Sequence, residues 1–391
     1  MVGIDTIVLT LPAAEFAILE PSRFTPNATK VLGATAYDMG RNKYFNAKCN
    51  PSKADTEKMG YLPYLTLYRA LRAGGLTTGL RIQLSIPKLL NGNNFDEIEE
   101  SDFGEICHRI HTGLEHYKIK VRGGGRTIAN AQVVTVHYSK NFVLTNYLSA
   151  RAAIKDVSRV DVNGWRDASK TDYINNGYGF KTHSKNFELA FYDKMAEHTK
   201  AKRGQPTFDT DIGQIQLNLF NEKSVVKPFE VLRMEVRFGN VRAIKQALKN
   251  ARLPTDDTSF CTLYSKDYSQ MVLEWQLKDV YEHYPKITEA STDDPLELFG
   301  DLYFQNPNRS ISTIINAVGL HALSQHSGIR AIKDVAGSKG SQALLRLAKR
   351  ANSELKYKSE KSEVFELLRE QLDRFEPVYI DNFLDSDKGN I

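Results

Sequence analysis

The chain has 391 residues, 41% hydrophobic and 25% charged, which allows two or three domains and a large apolar core. Its net charge of +5 admits a polyanionic partner without demanding one. Three distant cysteines, Cys49, Cys107 and Cys261, form no CxxC pair and no Cys/His finger, which excludes the usual zinc-finger and disulfide frameworks and fits a reducing, cytoplasmic setting.

The N-terminal stretch "MVGIDTIVLTLPAAEF" has no basic leader and carries acids and a proline, so it reads as a first strand and not a signal peptide. Thr6, Val8 and Thr10 fall on one face of that strand, with Ile7, Leu9 and Leu11 on the other. "LRIQLSIPKLL" repeats the pattern, Leu80, Ile82, Leu84 and Ile86 facing one way before Pro87 ends it. Phe103, Ile106, Ile110 and Leu114 then recur at helical spacing, with Asp102 near the start. "RGGGR" at 122–126 is a turn and not a phosphate loop, since no GK[ST] follows. "AQVVTVHYS", "VSRVDVN", "IGQIQLNLF" and "FEVLRMEVRFGN" read as further strands.

From about Gly239 the texture becomes helical. The expected organisation is an α+β region over 1–239, with a mainly antiparallel sheet and flanking helices, and a helical region over 240–391. No apolar run approaches the length of a membrane span, so no membrane partner is expected. The basic stretch from Arg330 to Lys361 suits either a DNA phosphate contact or a solvated helix face.

Three stretches carry candidate chemistry. In "SRVDVN", a period of two puts Arg159, Asp161 and Asn163 on one face. In "LRMEVRF" the same rule groups Arg233, Glu235 and Arg237, with Leu232, Met234, Val236 and Phe238 behind them. Carboxylate and amide oxygens at such positions suit Mg²⁺ or Mn²⁺, and salt-bridged faces in solvent explain them as well. In "NNGYGFKTHSKNFELAFYDK", Tyr178 stands between Gly177 and Gly179, followed by Lys181, His183 and Lys185. A phenol is a poor nucleophile until a cation or base assists it, and these cations could bind phosphate or steady a phenolate. The other reading is a hairpin whose tip is aromatic. Tyr173 and Tyr192 are rivals for any such role, though Tyr192 precedes Asp193 on an apolar strand and is expected to pack in the core; His137 in "VTVHYS" suits packing or a metal.

The order of "YLPYLTLYRA", "LRIQLSIPKLLNGNNFDEI", "VSRVDVN", "YGFKTHSKNFELAFYDK" and "VLRMEVRF" resembles the phage and plasmid replication proteins of the gene II/gene X type, over residues 1 to about 240. It is more distantly similar to the plasmid replication initiation factor family and the allied transfer relaxases. The resemblance implies a sheet of the HUH-nuclease-like type and a rolling-circle initiator that cleaves one origin strand through a 5′-phosphotyrosine. It implies Tyr178 as nucleophile with Lys181 and Lys194 beside it. Asp161, Glu235 and Asn163 would hold Mg²⁺ or Mn²⁺, Asp167 or His137 being alternatives. Arg159, His183, Lys185, Arg233 and Arg237 would face DNA. Single- and double-stranded origin DNA, a host helicase and a host polymerase are the implied partners, in the bacterial cytoplasm. Two alternatives remain: a conjugative relaxase, and an origin-binding protein without catalysis.

Overall fold

Alternating apolar and polar residues build one nine-stranded sheet. The computed structural model describes residues 1–38, 43–144, 149–158, 170–174, 179–195, 230–282, 294–355 and 363–383. Its strands are β1 (Ile4–Pro12), β2 (Phe16–Ile18), β3 (Tyr44–Cys49), β4 (Tyr64–Arg72), β5 (Gly75–Ser85), β6 (Ile119–Val121), β7 (Gln132–Leu144), β8 (Lys170–Ile174), β9 (Gly179–Ser184), β10 (Phe187–Asp193) and β11 (Glu230–Phe238). The large sheet runs β3-β4-β5-β1-β7-β11-β10-β9-β8, and β2 pairs β6 separately. Every pairing is antiparallel. The α+β class and the antiparallel sheet therefore stand as expected.

One sheet face is the core. Ile7, Leu9 and Leu11 of β1, Leu80, Ile82 and Leu84 of β5, and Leu232, Met234, Val236 and Phe238 of β11 join one apolar cluster. Each such side chain contributes roughly 1.5–3 kcal/mol on burial. The helix Phe103–His116 adds Ile106, Ile110 and Leu114 from its apolar stripe. A short 3₁₀ turn, Glu100–Asp102, precedes it, and Asp102 Oδ2 accepts from the Glu99 N–H at 2.8 Å, so Asp102 caps this turn.

The helices Val241–Asn250, Lys266–Glu282 and Glu363–Arg374 contribute Ile244, Leu273 and Leu368 to the same cluster as the sheet. A separate small cluster joins Leu298 and Leu302 to Ile314, Ala317 and Leu320. After residue 310 the helical texture resolves into one long helix, Ile311–Glu354. No helix among the described residues is long and apolar enough to cross a membrane.

Local differences have local causes. Strand β5 stops at Ser85, and Ile86 opens the helix Ile86–Asn91, because Pro87 suits a first helical turn. The strand expected over 157–163 begins elsewhere: Val157 closes the helix Ala150–Val157 and Ser158 is its C-cap. The rest of that stretch, and 212–220, lie outside the described residues.

Burial also sorts the thiols. It pushes Cys49 and Cys107 up to about 11, while Cys261 is exposed. Alkylation of the folded protein at pH 8 should therefore label Cys261 alone, with the other two reacting only in denaturant. Mass spectrometry of the labelled peptides checks this; early labelling of Cys49 or Cys107 would contradict the packing.

Candidate active site

Strand β11 sets out three charges on the sheet face away from the core. Arg233 lies opposite Asn141 and Tyr192, Glu235 opposite Ser139 and Ala190, and Arg237 opposite His137 and Glu188. Opposite residues share a face, so β7 and β10 bring these side chains to the charges of β11. The alternation predicts the grouping, but not its burial: Arg233 and Glu235 are each 2% exposed.

Strand β1 completes the group through an irregularity. Its register with β7 jumps between Ile4 and Thr6, so Asp5 is the extra residue of a bulge. Asp5 thereby joins the polar face. Asp5, His137 and Glu235 each offer a ligand atom within 4.8 Å of the others.

Glu235 is the hub. Its Oε1 accepts from Arg237 Nε at 2.8 Å and lies 3.2 Å from His137 Nδ1. Its Oε2 accepts from Arg237 Nη2 at 3.1 Å and from the Tyr192 hydroxyl at 2.9 Å. Burial by itself would raise this carboxyl. The Arg237 guanidinium and the hydrogen bonds from His137 and Arg237 outweigh it and hold the group well below the usual carboxylate range. Glu235 is thus ionised at neutral pH.

Positive charge surrounds it. Arg233 donates from Nε to Asn141 Oδ1 at 2.9 Å and reaches Asp5 Oδ1 at 3.3 Å through Nη1. Arg237 Nη1 lies 2.8 Å from Glu188 Oε1, and Lys181 Nζ is 2.6 Å from Glu188 Oε2. Lys194 is buried, its ammonium 5.7 Å from the centre of the Tyr192 ring. A chain of ion pairs thus runs from β9 across β10 to β11. Two carboxylates and an imidazole make a candidate cation site, and the bidentate grip of Arg237 keeps one of those carboxylates from repelling the other.

The residues expected from sequence divide accordingly. Glu235, Arg233, Arg237, Lys181, Lys194 and the alternative His137 belong to this region. His183 on β9 lies opposite Glu188, and Lys185 is exposed in the β9–β10 turn. Tyr173 lies on β8, opposite Phe180. Tyr178, Arg159, Asp161, Asn163 and Asp167 lie outside the described residues. Sequence reasoning passed over Asp5, because strict alternation puts it on the apolar face with Ile7. An acid on an otherwise apolar strand face was the available signal.

Residues 69–254 match a family model described as the N-terminal region of the phage replication-associated gene II protein. This match, over just under half of the chain, supports a phage rolling-circle replication protein family. No curated protein and no solved structure matches it. The matched region contains His137, Lys181, Glu188, Tyr192, Arg233, Glu235 and Arg237, while Asp5 precedes it. The match supports a replication initiator role, and a protein of that family is expected to bind origin DNA.

Proposed function

We propose that the protein nicks and rejoins one DNA strand at a replication origin through a 5′-phosphotyrosine, as HUH-type nucleases do, and so starts rolling-circle replication of a phage or plasmid. The observation that carries this reading is the Tyr192 hydroxyl held at 2.9 Å on Glu235, within the Asp5–His137–Glu235 cluster. The buried, ionised carboxylate fixes the direction of that phenol, and orientation is what a weak nucleophile needs.

Mg²⁺ or Mn²⁺ fits the oxygen-rich donor set, Mn²⁺ tolerating the imidazole more readily. Bound there, such a cation would supply Lewis-acid polarisation of the scissile phosphate. Asp5, His137 and Glu235 would hold it. Glu235 orients the phenol as a hydrogen-bond acceptor. Arg233 and Lys194 provide the positive field in which the phenolate forms as its proton leaves to water. The tyrosine oxygen then bonds to phosphorus as the 3′-oxygen departs and takes a proton from water; in the reverse step a 3′-hydroxyl gives up its proton, bonds to phosphorus and releases the tyrosine. The free 3′-hydroxyl would feed a host polymerase behind a host helicase in the bacterial cytoplasm.

Two tyrosines compete for the bond. Motif comparison points to Tyr178, and the hydrogen bonding at the cluster favours Tyr192. As metal ligands, Asp161 and Asn163 stay candidates beside Asp5, His137 and Glu235.

The test is to incubate the protein with a labelled single-stranded origin oligonucleotide and Mn²⁺, then map the adduct by mass spectrometry. Expected is a covalent 5′-phosphoryl adduct on Tyr192, absent with EDTA, and weakened Mn²⁺ binding in Asp5→Asn. An adduct on Tyr178 would move the nucleophile to the turn. Origin binding with no cleavage in Mg²⁺ or Mn²⁺ would leave an origin-binding protein. Cleavage by a protein encoded within a transfer operon would make it a relaxase.

A further inference from the structure

The face that carries the cluster continues beyond it, onto strands the proposed chemistry does not use. His137 lies opposite Thr6, and Thr6 opposite Ser85. Two, four and six residues back along β5 on the same face come Gln83, Arg81 and Gly79. Gly79 lies opposite Tyr68 on β4, and Tyr68 opposite Asn46 on β3. Strand spacing and rise put Tyr68 roughly 25 Å from His137 along this face.

Three side chains there form an ordered unit. The Tyr68 ring lies over Gly79, where an added Cβ would meet its hydroxyl at 2.6 Å. The Tyr44 ring is nearly parallel to it, 15° apart with centroids separated by 6.1 Å. The Arg81 guanidinium carbon is 5.0 Å from the Tyr68 centroid. All three are partly exposed. Covering a strand glycine explains one contact of Tyr68. It does not explain the parallel Tyr44 or the guanidinium.

Charge selects the occupant. On the face that carries Tyr68, strands β3, β4 and β5 present Lys48, Arg72 and Arg81, and none of the three strands has an acidic residue, in a chain where acids and bases are nearly equal in number. Among the described residues no carboxylate pairs with Lys48 or Arg81, and Arg81 Nε has no hydrogen-bond partner. Aromatic rings and a guanidinium on an acid-free sheet face form a surface for unpaired bases and their phosphates, because stacking needs splayed bases that a duplex does not offer.

We infer that Tyr44, Tyr68 and Arg81 form a stacking platform for single-stranded DNA, holding the strand at a distance from the Glu235 cluster. The inference rests on the DNA-processing reading above, but its test does not require cleavage. Binding of a labelled oligothymidylate of about 16 nucleotides to the full chain is measured by fluorescence anisotropy in EDTA. Tyr68→Ala and Tyr44→Ala should each weaken binding about tenfold. Tyr68→Phe, which keeps the ring, should bind like the wild type. Arg81→Gln should lower the slope of log affinity against log salt by about 0.7. Tyr44→Ala guards against a fold defect, since that ring does not cover Gly79, and circular dichroism melts of all variants accompany the binding data. Wild-type affinity in both Tyr44→Ala and Arg81→Gln would overturn the platform. So would an equal loss of binding to a duplex of the same length. A protein that binds through these residues yet never cuts would refute the nicking proposal and leave the platform standing.

Discussion

Tyr192→Phe is expected to lower origin-strand cleavage by on the order of 10⁴-fold or more, the scale on which removal of a covalent nucleophile is felt. The change deletes one oxygen. Glu235 keeps two hydrogen bonds from Arg237 and its contact with His137, so the carboxylate stays satisfied. The lost hydrogen bond to a charged group costs about 1.5–3 kcal/mol of stability. Fold and oligonucleotide affinity should therefore survive while covalent attachment disappears. Gel-shift of the denatured protein on a labelled origin strand reads the adduct directly. Persistence of the adduct in Tyr192→Phe, with its loss in Tyr178→Phe, would give the chemistry to Tyr178 and leave Tyr192 as a residue that orients Glu235.

The largest stability effect should come from Lys140→Met. Lys140 and Glu97 are 1% and 4% exposed and are joined at 2.8 Å. The ammonium also donates to the carbonyls of Asn141 at 2.8 Å and Glu376 at 3.0 Å. Glu97 accepts from the N–H groups of Asn141 at 2.6 Å and Val378 at 2.9 Å. This pair ties β7 to the residues after the last long helix. Removing the cation strands a buried carboxylate, which costs about 3–5 kcal/mol. Urea denaturation followed by circular dichroism should show that loss. The double variant Lys140→Met with Glu97→Gln should lose less than the two single changes added together, since neither then leaves a lone charge. Strict additivity would mean the pair contributes nothing as a pair. Asn141 also accepts from Arg233, so part of the damage should reach the site, as weaker Mn²⁺ binding.

The sequence by itself determined the strands that carry the site. The alternation in "LRMEVRF" sorts Arg233, Glu235 and Arg237 from Leu232, Met234, Val236 and Phe238, and the register of β11 with both neighbours keeps that sorting. Period two is a property of the backbone, so it is legible wherever one face meets a core. The helix Phe103–His116 was legible for the same reason at period 3.6. The tertiary structure alone decided which charges meet. Nothing in "LRMEVRF" says that both flanking strands bring it an imidazole and a phenol, or that Glu235 is buried under an arginine clamp. Pairing of β11 with β7 and β10 joins residues 137, 192 and 235, and no local propensity encodes that pairing. Asp5 is the sharpest case. Its place depends on one extra residue in β1, which reverses the face that simple alternation assigns, and a bulge is set by the partner strand as much as by its own sequence.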